Sequence, residues 1–228
     1  MYRKNKHIRI VEFVGVPGCG KTTICRSMVD NSLGIHFLSC DTYPFPVGTL
    51  NKLLFFFQDF SICYFFALVY YIFANNISRK KQMFVYMINL RMKYVRFFRE
   101  HRNDDSILLV DQGLVQGLGS MSLGHDKVKS VGLSFLLKYW KIFESSMLMI
   151  NCVIPVEESS RRLSERNTLG GAFDRLRGKD LINSMSSHVR LLESVKNELS
   201  EKGFHMNRVT INTLNTIDNN IKRIFQEI

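Results

Sequence analysis

The apolar run IRIVEFV leads directly into GVPGCGKTT, Gly15 to Thr23, and from there into ICRSMV. That succession constrains the fold more than any other stretch of the chain. Gly15, Gly20, Lys21 and Thr22 satisfy the spacing G-x-x-x-x-G-K-[ST], whose mechanics require a strand before it and a helix after it. Glycines let the backbone curl, so that successive N–H groups from Gly15 through Gly18, Cys19 and Gly20 to Thr23 point inward at an anion. The positive end of a helix beginning near Lys21 reinforces that concavity. Lys21 is predicted to reach the β- and γ-phosphates of a nucleotide, and the Thr22 hydroxyl to ligate Mg²⁺. A Lys and a Thr in the first helical turn have no structural need to follow these glycines.

Further short apolar runs recur at His36 to Leu38, Ile107 to Val110, Leu148 to Val153 and Arg208 to Ile211, besides the first at Ile8 to Val14. Nearly all-apolar strands of this length suit a sheet buried on both faces. Between them, helices are predicted at Lys21 to Asp30, Leu50 to Phe73, Arg79 to Arg99, Lys127 to Phe143, Val156 to Arg166, Asp180 to Glu201 and Ile217 to Glu227. Strands alternating with long helices define an α/β fold, a three-layer sandwich around a five-stranded parallel sheet. With 228 residues and no repeat or low-complexity linker, one domain is expected over 1–228. Within it, 43–101 forms a helical acceptor-side insertion.

Thirty-one basic against twenty acidic residues give a net charge of +11, which suits polyphosphate handling as well as nucleic acid or a membrane surface. No nucleic-acid recognition module accompanies the charge, so nucleic acid is not an expected partner. Leu53 to Phe73 is long enough to cross a bilayer, but Asp59 within it would cost about 2.5–3.5 kcal/mol near the centre. A mostly buried helix is the expectation, with a membrane surface or partner as the alternative. The basic N-terminus runs into a strand and not into a cleavable apolar helix, so no signal peptide is expected. Five scattered cysteines spell neither a disulfide framework nor a zinc site, which points to the cytoplasm.

Two more segments carry chemistry. ILLVDQGLVQ places Asp111 at the carboxyl edge of a strand, where open α/β sheets bind ligands. A carboxylate there orients a Mg²⁺ shell or accepts the proton of an attacking hydroxyl, or else caps the following turn. PVEESSRRLSERNTLGGAFDRLRG puts Arg162 and Arg166 on one helix face, followed by Arg175 beyond a flexible turn; guanidinium forks spread phosphoryl charge. Glu12 is a lone acid in an apolar strand, placed either to approach an acceptor or to take a buried hydrogen bond.

These residues resemble a family. GVPGCGKT is similar to the loop of adenylate kinases, and PVEESSRRLSER resembles their helix leading into a lid. FDR, at Asp174 and Arg175, is similar to the thymidylate kinase lid, and VDQG stands where those enzymes carry Asp-Arg-aromatic. The islands span the chain and identify it as similar to P-loop nucleoside and nucleotide kinases. The resemblance implies ATP and Mg²⁺, a lid over 156–180 with Arg162, Arg166 and Arg175 near the donor phosphates, and a donor-base border at NTLN after Ile211.

Departures from that pattern bear on the acceptor. Gln112 follows the strand Asp where thymidylate kinases have Arg, and CDTYP, with Asp41, replaces their acceptor-side Arg. Arg91 and Arg96 are candidate replacements, or an ordinary polar stripe opposite Met87, Leu90, Tyr94 and Val95. Gln112 and Gln116, four apart, are candidate partners of a polar acceptor or of loop backbone. The expected activity is therefore ATP-dependent phosphorylation of a small molecule, nucleoside- or nucleotide-kinase-like. A sugar or other hydroxyl-bearing metabolite is the first alternative, and a nucleotide-gated interaction or membrane-associated NTPase the second.

Overall fold

The computed structural model describes residues 8–30, 36–39, 62–77, 80–122, 130–166, 173 and 176–228. Five strands, β1 (Ile10–Val14), β2 (Phe37–Ser39), β3 (Ile107–Val110), β4 (Met147–Val153) and β5 (Asn207–Asn212), pair in parallel in the order β2-β3-β1-β4-β5. Each predicted strand is present within two residues of its expected limits.

Their apolar runs serve two cores at once. Ile10 and Val14 of β1, Leu108 and Val110 of β3, and Met147 and Met149 of β4 face one side. Val11, Phe13, Ile107, Leu109, Leu148, Ile150 and Cys152 face the other. On that second side lie α1 (Lys21–Asp30) and α9 (Ile217–Phe225), which bury Ile24, Cys25, Met28, Ile221 and Ile224. The first side is covered by α2 (Ile62–Ala74), α3 (Lys80–Glu100), α4 (Leu114–Met121), α5 (Leu133–Leu137), α6 (Lys141–Glu144) and α8 (Gly178–Glu201). A last helix, α7 (Val156–Ser164), follows β4 at the carboxyl edge.

The structure corrects the helical expectations in two places. The helix expected over Lys127 to Phe143 is two short ones, α5 and α6, with 127–129 outside the described residues. Tyr139 N and Trp140 N bond to Leu136 O and Leu137 O, a tighter turn than the α-helix. That turn swings Trp140 fully inside, edge-on to Tyr64 and Tyr94 at 6.3 and 5.5 Å, so aromatic burial overrides helical continuity. Secondly, α4 was not expected, because Gly117 and Gly119 weaken any helix. Those positions are where α4 meets its neighbours: a methyl group at Gly117 would lie 2.5 Å from Tyr86 Cε1, and one at Gly119 2.9 Å from Leu192 Cδ2. Of the helix expected from Leu50, the part from Ile62 is present as α2, and 50–61 lie outside the described residues. The remaining helices end within two residues of expectation.

Order β2-β3-β1 on one flank and β1-β4-β5 on the other makes the carboxyl ends of β1 and β3 the point where the connections diverge. Glu12 is in register with Val110, which sets the loops after the two strands side by side.

Candidate active site

The loop Gly15–Gly20 leaves β1 and enters α1 at Lys21. Its curl depends on Gly18 and Gly20, whose φ values of +84° and +91° are strained for any side chain. Gly18 has no room either, since a methyl group there would sit 2.6 Å from Ser159 O. Ser159 of α7 also donates from Oγ to Pro17 O at 2.7 Å, so α7 clamps the loop from outside. The sequence reading missed Ser159; its signal is a small buried residue four before buried Leu163 in an otherwise polar helix.

Lys21 Nζ lies over the loop, donating to Gly15 O at 2.7 Å and Val16 O at 3.0 Å, with Cys19 Sγ 3.6 Å away. The neighbouring Cys152 thiol, and then the Lys21 ammonium, hold the Cys19 thiol below its ordinary pKa. Thr22 follows, and its Oγ1 donates to Asp111 Oδ2 at 2.5 Å. The two residues expected to hold Mg²⁺ are thus brought together. Asp111 Oδ1 is buried and has no partner among the described residues, which leaves a hard oxygen available beside the Thr22 hydroxyl. That donor set fits a Mg²⁺ ion, with Thr22 and Asp111 as the residues that would hold it. Thr23 is exposed on the first turn of α1.

Three contacts fix the turn after β3. Tyr86 OH of α3 donates to Gln112 O at 2.7 Å and to Gly113 O at 2.9 Å. Glu12 Oε1 accepts from Val115 N at 2.8 Å and Gln116 N at 3.4 Å, so the lone acid of β1 holds the start of α4. Burial pushes the Glu12 carboxyl up to about 7, opposed by those backbone donors. Gly113 is glycine by necessity, since any Cβ would run into the Glu12 carboxyl group.

Arg162 of α7 donates from Nε to Glu158 Oε1 at 2.7 Å. Its Nη1 and the Thr213 Cβ each lie 3.9 Å from where a methyl group on Gly20 would be. Arg162 and the segment after β5 therefore both border the loop. Arg166 is exposed beyond the end of α7, while Asp41, Asp174 and Arg175 fall outside the described residues. Gln112 is exposed, and Gln116 is buried with its Oε1 3.4 Å from Gly15 N.

Arg91 is not brought to this cluster. It is 7% exposed, donates to Tyr139 O, and lies 4.8 Å over the Tyr64 ring and 5.7 Å from that of Phe143. Nor does it sit on a polar stripe, because Met87, Leu90 and Tyr94 are buried with it. An aromatic cage with a carbonyl at its mouth offsets the cost of burying the guanidinium.

No protein-family model matches the sequence, and no curated protein does. Among solved structures the chain is similar to deoxyadenosine kinase from M. mycoides with bound dCTP, at TM-score 0.50 and 14% identity over 96% of this chain and 97% of that one. The same enzyme with bound dATP aligns at TM-score 0.49 and 14% identity, covering 96% and 98%. Shikimate kinase from Acinetobacter baumannii in complex with shikimate aligns at TM-score 0.44 and 15% identity, covering 97% and 93%. At such identities the likeness is one of fold, carried by the dCTP complex together with the strand order. The chain has the fold of P-loop kinases. The narrower likeness to thymidylate kinases finds no support in these comparisons.

Proposed function

We propose that the chain is an ATP-dependent kinase of a small molecule, with a hydroxyl of a nucleoside, sugar or related metabolite as the acceptor. The single observation that carries this reading is the Thr22 to Asp111 hydrogen bond across the carboxyl ends of β1 and β3. It joins the loop that holds phosphate to the carboxylate that serves the acceptor. The loop amides and Lys21 bind the β- and γ-phosphates, and Arg162, with Arg166 and Arg175 of the lid, spreads the charge of the group in transfer. Mg²⁺, when bound, supplies positive charge against the phosphate oxygens.

Asp111 has an oxygen for each of two tasks. In this reading Oδ2 is engaged with Thr22, and Oδ1 either joins the Mg²⁺ shell or takes the proton of the attacking hydroxyl as its oxygen bonds to the γ-phosphorus and ADP leaves. A phosphate acceptor would instead call for cations, and Arg91 is held in its aromatic cage. Gln112 and Asp41 remain the proposed acceptor-side residues, whereas Gln116 turns its oxygen to the Gly15 amide and its NH₂ to His188 and serves the loop backbone instead. The free thiols of Cys19, Cys25, Cys63 and Cys152 support a cytoplasmic setting.

The test is ADP release from the purified chain across nucleosides, nucleoside monophosphates and sugars, with Lys21→Ala beside it. Acceptor-dependent release absent from Lys21→Ala supports the reading; equal release with and without every acceptor points to an NTPase. One observation favours that second reading. On α2, Ile62, Phe66, Tyr70 and Phe73 are 65%, 61%, 53% and 63% exposed along one face, although no described helix is long and apolar enough to cross a membrane. Nucleotide-dependent flotation with anionic liposomes would bear out a docking role for that face.

A further inference from the structure

Behind the phosphate loop, the Gly15 amide, the Gln116 carboxamide and the His188 imidazole are buried and linked in a line, and the chemistry above gives the imidazole no role. Gly15 N donates to Gln116 Oε1 at 3.4 Å, and Gln116 Nε2 lies 3.2 Å from His188 Nε2 on α8. With the carboxamide oxygen taken by the loop, Gln116 turns its NH₂ to the imidazole, and an NH₂ only donates. His188 Nε2 must therefore accept, which places the ring proton on Nδ1 and leaves the ring neutral. Burial, helped by the Lys21 charge, pulls the His188 pKa down to about 4, in keeping with that state. Nδ1 is itself buried without a partner among the described residues. A phenylalanine would fill the same space without the unpartnered Nδ1–H but would leave the Gln116 NH₂ with no acceptor, so packing alone does not account for a histidine.

Two further contacts locate the ring. Gly15 cannot carry a side chain, since a methyl group would meet Cys152 O at 2.6 Å and Cys19 Sγ at 2.8 Å, so its backbone amide is the handle by which it is held. On the other flank the Phe173 ring lies 5.5 Å from His188 and belongs to a small core with Leu163 of α7 and Leu181 and Met185 of α8.

We infer that His188 is a positioning residue of the nucleotide site: as a neutral acceptor it holds Gln116, which fixes the amide of Gly15, while its ring seats Phe173. The loop and Phe173 thus share one support. The inference rests on the phosphoryl-transfer reading and deepens it, because a shift of Gly15 misplaces the first residue of the phosphate-binding curl.

The test uses the full chain. Long-range ¹⁵N imidazole spectra at pH 7 are expected to show His188 with Nδ1 protonated and Nε2 bare; a protonated Nε2 overturns the inference. Calorimetric titration with Mg²⁺–ATP then separates the two contacts. His188→Phe keeps a ring and removes the acceptor, and is expected to bind ATP roughly three- to tenfold more weakly while protease cleavage near Phe173 keeps its natural rate. His188→Gln keeps an acceptor and removes the ring, and is expected to bind within about twofold of the natural chain while being cleaved faster by protease near Phe173. Equal ATP affinity in both variants and the natural chain overturns the positioning role alone. No ATP affinity in either the natural chain or Lys21→Ala overturns the phosphoryl-transfer reading instead, and the tautomer spectrum then decides the link by itself.

Discussion

Thr22 and Asp111, 89 residues apart in sequence, share a hydrogen bond of 2.5 Å across the seam between β1 and β3. The bond exists because those strands pair with Glu12 opposite Val110, which delivers the first turn of α1 and the end of β3 to the same place. One carboxylate oxygen is spent on that bond and the other is not.

Asp111→Asn is expected to keep the fold and ATP binding, because an amide oxygen still accepts from Thr22. It cannot take a proton from an attacking hydroxyl, so turnover should fall about 100-fold or more. Coupled ADP release measured beside an ATP titration checks this; undiminished turnover would remove Asp111 from the proton-transfer role.

Strain and crowding in the loop can be told apart with two glycines. Gly178 has a φ of +55° and nothing within 4 Å of an added methyl group, whereas Gly18 combines φ +84° with Ser159 O at 2.6 Å. Gly178→Ala should cost about 1 kcal/mol from backbone conformation alone. Gly18→Ala should cost clearly more, about 3 kcal/mol, by urea unfolding. Equal costs would mean that α7 does not clamp the loop.

Glu12 makes stability depend on pH in a defined direction. Its carboxyl titrates near 7 in the fold and near 4.5 in the unfolded chain, so the folded state holds the proton over that window. Stability from this group is full below about 4.5 and is lost as pH rises to about 7, a change on the order of 3 kcal/mol. Glu12→Gln still offers an oxygen to Val115 N and abolishes that slope. Denaturation curves for the two proteins at pH 5 and pH 7 provide the comparison; parallel pH dependences would contradict the assignment.

Arg91→Ala empties an aromatic cage and removes the donor to Tyr139 O, which should destabilise the protein by about 3 kcal/mol. Neither ATP affinity nor the KM for any acceptor found should change at a temperature where the variant is folded. A stable variant with a raised acceptor KM would return Arg91 to the substrate-binding residues.

What was legible in the sequence follows from how locally each feature is determined. The central strands β1, β3 and β4 read clearly because burial on both faces demands unbroken apolar runs, and the phosphate loop because its geometry needs glycines at fixed intervals. Asp111 was legible as the residue ending a buried strand, although its bond to Thr22 depends on strand order and not on spacing. Helix α4 was hidden because its glycines are explained only by Tyr86 and Leu192 arriving from other helices. Arg91 misled because a stripe of arginines looks alike whether it faces water or a cage of rings. His188 gave no signal at all, being a single histidine on a long helix whose partner Gln116 is 72 residues away.

The central place of β1 also bears on how the chain is made. Its first neighbour ends at Val110 and its second at Val153, so β1, which precedes the other four described strands, waits longest to be flanked. At ordinary synthesis rates about 140 further residues take roughly 7–28 s to appear. Until β3 is made IVEFV is an apolar ribbon with both edges bare, and until β4 is made one edge stays bare beside the phosphate loop that grows from it. Acquisition of nucleotide binding during translation should therefore be abrupt, arriving only after β4 has closed the second flank.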